Sequence, residues 1–140
     1  MPGINDMLAA GRERKRRRVA EMEAYGSEIY PWTPAVIVAG ATSLCIVATQ
    51  FPDARRYQPL DWARVVNKDA VDLKAYVNQV SAIEIPKGSI IEIDDFPAIW
   101  SILLENLDGA TDTTAGKVVV EFRKQPMTAD KLSRLQVAPS

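Results

Sequence analysis

Hydrophobic residues are distributed in three regimes along the chain. From Met1 to Tyr25 they are sparse: Met7, Leu8, Val19, Ala20, Met22 and Ala24 stand among polar residues, and an arginine-rich run interrupts any apolar stripe. Gly3, Asn5 and Asp6 are available to start a helix, and Gly26 and Ser27 to end it. Residues 1–28 therefore predict a basic helical arm that buries little by itself.

From Ile29 to Pro52 the chain runs 24 residues without a formal charge, and its centre, residues 35–49, is apolar or small throughout. Thr33 can cap a helix beginning at Pro34, where proline's missing N–H costs nothing. Pro52 suits its exit just beyond Phe51. A helix over residues 34–51 would extend about 27 Å, close to the ~30 Å hydrocarbon thickness of a bilayer. Tyr30 and Trp32 at one margin and Phe51, Tyr57 and Trp62 at the other fit a belt of membrane-interface aromatics. Residues 29–52 thus predict a single transmembrane span. The competing reading is a pair of buried strands, residues 35–39 and 43–49, turning at Gly40, because Val, Ile and Thr favour strands and periodicity does not separate the two cases.

Beyond Pro52 the pattern becomes that of a small globular domain, residues 53–140. Residues 59–66 predict a short helix carrying Trp62. Residues 67–80 predict a clearer one, capped by Asn67, with Leu73, Tyr76, Val77 and Val80 at i, i+3, i+4 and i+7. The period then changes to two: Ile83 and Ile85 flank Glu84, and Ile91 and Ile93 flank Glu92. With Pro86-Lys87-Gly88 between them, these runs predict a hairpin. Asp94 or Asp95 caps a predicted helix through Trp100 and Leu104 to Leu107. Residues 117–123 predict the strongest strand, with Val118, Val120 and Phe122 on one face, and a last short helix begins at Thr128. The expected order is α, β, β, α, β, α, an α+β domain with a small antiparallel sheet.

Composition adds little to this picture, but charge distribution changes it. Charged residues make up 25% and hydrophobics 47%, ordinary globular values, and the net charge is −1. Residues 12–18 hold six basic groups (Arg12, Arg14, Lys15, Arg16, Arg17 and Arg18) and one acid, Glu13, a local +5. Beside a membrane span such a run sets orientation or lies on anionic headgroups; on a chain without one it binds phosphates.

Candidate chemistry is thin. There is no histidine, which removes the commonest general base and metal ligand, and the single cysteine, Cys45, forms no intramolecular disulfide. Every glycine is isolated from the next, so phosphate-cradling loops are absent, and the adjacent Asp94 and Asp95 read as helix caps. The sequence offers no catalytic, metal or cofactor-binding residues. It predicts a non-enzymatic accessory or structural subunit, anchored in a membrane with its N-terminus on the cytoplasmic or equivalent side. Its partners would be other protein subunits and membrane lipid. The alternative is a viral or phage structural protein, in a capsid or tail, whose basic arm touches nucleic acid and whose residues 35–49 form sheet core.

Overall fold

The computed structural model describes residues 26–94 and 96–126. The chain divides into two compact units: Glu28–Lys124, and a unit made of both termini, of which residues 26–27 and 125–126 alone are described. The expected helical arm and the helix from Thr128 lie outside the described residues.

Eight strands occur among the described residues: β1 (Tyr30–Trp32), β2 (Thr42–Ile46), β3 (Trp62–Asn67), β4 (Leu73–Val77), β5 (Ser81–Ile85), β6 (Ile90–Ile93), β7 (Ser101–Asn106) and β8 (Val118–Arg123). Alternation explains most of them. Val118, Val120 and Phe122 of β8 point inward between Val119, Glu121 and Arg123, and Leu73, Ala75 and Val77 of β4 do the same between Lys74 and Tyr76. β-branched and aromatic residues on a half-buried pleat stabilise the extended backbone.

The strands pair as one long antiparallel hairpin rolled onto itself. β4 pairs with β5 at the turn, β3 with β6, β2 with β7 and β1 with β8. Rolling adds two contacts, β3 with β8 and β4 with β7. The result is two four-stranded antiparallel sheets, ordered β1-β8-β3-β6 and β2-β7-β4-β5. That strand order is a jelly roll. Inward residues of both sheets, among them Val65, Val120 and Phe122 from one and Leu73, Ile102 and Leu104 from the other, form one buried cluster. Leu60 and Ile99, both fully buried, close the core through an isolated bridge.

The α+β expectation is overturned. Helix among the described residues is confined to α1 (Val47–Gln50) and a 3-10 turn (Pro52–Tyr57). The expected helices at 59–66 and 67–80 are instead β3, a turn and β4, and the one through Trp100 to Leu107 is β7. The runs at Ile83–Ile85 and Ile91–Ile93 are strands, but they do not form a hairpin: β5 belongs to one sheet and β6 to the other, so Pro86-Lys87-Gly88 crosses between layers.

The membrane span is overturned as well. No helix among the described residues is long and apolar enough to cross a membrane. The uncharged stretch is instead divided among β1, a loop, β2 and α1, with a turn at Gly40, whose φ of 71° suits glycine. Its side chains alternate between environments: Ile37, Cys45 and Val47 are buried, whereas Val36, Val38, Leu44 and Ile46 are exposed. The single-pass membrane location and the orientation drawn from it therefore have no helix to rest on. Of the two-strand alternative, the second strand exists in shortened form as β2, while residues 35–39 are loop.

Candidate functional site

Two asparagines organise the loops at one end of the sandwich. Asn67 ends β3, is fully buried, and donates from Nδ2 to the carbonyls of Val71 (3.0 Å), Ile85 (3.2 Å) and Pro86 (3.2 Å). Its Oδ1 accepts the N–H of Asp69 at 3.0 Å. Asn106 ends β7 and repeats the device: Nδ2 donates to Ile37 (3.1 Å) and Thr111 (2.8 Å), and Oδ1 accepts the Asp108 N–H at 3.0 Å. The aspartate of each Asn-x-Asp continues the chain of bonds. Asp69 accepts from Ala70 and from Thr114 across the loops, and Asp108 accepts from Ala110 and Thr111. Thr113 and Ile37 exchange bonds between their loops, through Thr113 Oγ1 and both backbones. Buried backbone groups that no ladder satisfies are thus paired by side chains. Sequence reading took Asn67 for a helix cap, whereas it ends a strand, and it passed over Asn106, although the repeated Asn67-x-Asp69 and Asn106-x-Asp108 was an available signal.

The outer face of the β1-β8-β3-β6 sheet carries a charged network around Trp62. The indole Nε1 donates to Glu92 at 2.7 Å, and the guanidinium groups of Arg64 and Arg123 lie 5.7 Å and 6.0 Å from the ring centroid. Arg64 pairs with Glu121 at 2.7 Å across the β3–β8 register. Trp62, expected at a membrane interface, is buried in this network on a sheet face.

Of the other four aromatics expected at that interface, Tyr30, Phe51 and Tyr57 lie close to one another. Tyr30 and Trp32 are buried on β1, and Phe51 stands between Tyr30 (centroids 5.5 Å) and Phe122 (5.9 Å). Tyr57, on the 3-10 turn, joins Tyr30, Glu28, Asp53 and Arg56 around a cavity of about 150 Å³. The Tyr30 hydroxyl is buried there without a hydrogen-bond partner among the described residues. Burial raises its pKa, reinforced by Glu28, Tyr57 and Asp53 and opposed by Arg56. The cavity mixes both signs of charge and is polar rather than apolar.

Cys45 points into the core, and burial pushes its thiol up to about 12. A thiol so held is a small hydrophobe rather than a nucleophile. Among the described residues no group of three or more His, Cys, Asp or Glu side chains could hold a metal ion. Asp69, Asp72, Asp108 and Asp112 accept backbone N–H groups, and Glu92 and Glu121 bond to side chains of the neighbouring strand. These carboxylates anchor loops and strands. The basic residues of the arm, Arg12, Arg14, Lys15, Arg16, Arg17 and Arg18, lie outside the described residues.

What the described surface offers besides charge is apolar area. Val36, Val38, Leu44, Ile46, Val80, Ile90 and Trp100 are all substantially exposed. No family model, curated protein or solved structure matches the chain.

Proposed function

We propose that the chain is a structural subunit of a capsid-type shell, with the jelly roll as its wall and the arginine-rich arm as its contact with nucleic acid. The observation that carries this reading is the strand order β1-β8-β3-β6 over β2-β7-β4-β5, with a basic run ahead of β1 in the sequence. Jelly rolls recur as walls of viral capsids. A fold hosts many functions, so the arm is the second support. A local charge of +5 in residues 12–18, against a net charge of −1 for the chain, concentrates phosphate affinity in one short segment.

The test is binding of a single-stranded oligonucleotide by the full chain across a salt series. If all six basic groups engage phosphates, the log–log slope is about −4, or a few hundredfold lost between 50 and 200 mM salt. Replacing Arg14, Arg16, Arg17 and Arg18 with Gln should flatten the slope by roughly 3. Salt-insensitive binding, or a variant indistinguishable from the wild type, would overturn the arm's role.

A further inference from the structure

The uncharged stretch finds no complete explanation in the core, because much of it faces outward. Among the described residues, its strand β2 is an edge of the β2-β7-β4-β5 sheet. Cys45 points inward, while Leu44 and Ile46 present their side chains at 43% and 47% exposure. The backbone direction follows from the ladder. Ala41 O accepts from Asn106 N and Val47 N donates to Trp100 O, so the odd-numbered residues of this stretch bond toward β7. The N–H and C=O groups of Thr42, Leu44 and Ile46 therefore point to the open edge.

Open edges are pairing templates, and proteins usually blunt them with charge or proline. The other three edges have such devices: Pro31 on β1, Glu84 on β5 and Glu92 on β6. β2, with the sequence Thr-Ser-Leu-Cys-Ile, has neither.

We propose that β2 is a self-association edge, pairing antiparallel with β2 of a second copy across a two-fold axis at Leu44 and joining the two sheets into one. The open groups require even-numbered residues to pair with even-numbered ones, and centring on Leu44 is the register that pairs all three. Leu44 exchanges both backbone bonds with Leu44 of the other copy, and Thr42 does so with Ile46. On the outer face leucine meets leucine and isoleucine meets threonine. The second copy is the occupant because an isologous contact sets each patch against itself, which an uncharged strand tolerates and a charged one does not. The charges of the outer face lie one strand or more inward, on Glu105, Lys74 and Glu84.

The pairing rests on edge chemistry and goes beyond the shell reading, so the two fail separately. Sedimentation velocity of the full chain over a concentration series measures it. Leu44→Lys and Leu44→Glu should each weaken association at least about tenfold, because like charges meet on the axis. An equimolar mixture of the two should recover it. Ile46→Lys should also weaken association, and adding Thr42→Glu to the same chain should restore it, which covers the case in which a Leu44 variant fails to fold. Ile90→Lys, on the other sheet's edge, should change nothing. Wild-type chain that stays monomeric, unaffected charged variants, failure of both rescues, or equal loss from Ile90→Lys would each overturn the proposal. Dimers that never build particles would support the pairing and refute the shell, and particles formed as readily by Leu44→Lys would do the reverse.

Discussion

Replacing Asn67 with alanine should destabilise the fold well beyond what its size suggests. The side chain is fully buried, and its two amide protons are shared among the carbonyls of Val71, Ile85 and Pro86, while its oxygen holds the Asp69 N–H. Alanine removes about two donated bonds and one accepted bond and leaves buried peptide groups unpaired. At ~1–1.5 kcal/mol each the loss is about 3–4 kcal/mol. A domain of this size holds ~5–15 kcal/mol in total, so the variant should fold but melt at least ~12 °C lower. Thermal and urea unfolding followed by circular dichroism measure this. Asn67→Leu separates hydrogen bonding from volume: it fills the space, restores no bond, and should be no better than alanine. A loss below ~1 kcal/mol for Asn67→Ala, or full recovery by leucine, would refute the idea that the amide latches the β3–β4 and β5–β6 loops.

Other outcomes follow from the same contacts. Asn106→Ala should cost a similar amount in the same melts, since it strips the bonds to Ile37, Thr111 and Asp108. Phe122→Ala, at a fully buried position against Phe51, should cost ~3–5 kcal/mol in urea unfolding. Cys45 should resist a thiol reagent at pH 8 and react only at the rate of unfolding. Because its folded pKa is raised from 9.0 to about 12, its contribution to stability is complete below pH 9 and is lost as pH rises through that window, which alkaline melts would show.

The sequence revealed its strands more readily than their partners. Period-two alternation located β5, β6 and β8, because one face of each is buried. It mispaired β5 with β6, since Pro86-Lys87-Gly88 is short and turn-like and nothing local distinguishes a hairpin from a crossing between layers. Around β4, Leu73, Tyr76, Val77 and Val80 imitate a helical face. The inward set is Leu73, Ala75 and Val77, and Ala75 is too small to register in an apolar pattern. In the uncharged stretch, Thr33-Pro34 and Pro52 framed a run whose apolar content suits a membrane helix. What it lacked was any sign that half the side chains face out, because an exposed leucine at an association edge reads like a buried one. The arm lies outside the described residues, and only its charge was legible from composition. The loop-latching asparagines were not, because their role depends on carbonyls supplied by β5 and by the loops at that end.

The most direct measurement is particle formation. The full chain, purified at low salt with nucleic acid present, is imaged by electron microscopy and treated with nuclease. A shell subunit gives closed particles of uniform size that protect the nucleic acid, and the Arg14, Arg16, Arg17 and Arg18→Gln variant gives particles that do not. A chain that remains monomeric or dimeric under these conditions and leaves the nucleic acid fully digestible would contradict the reading.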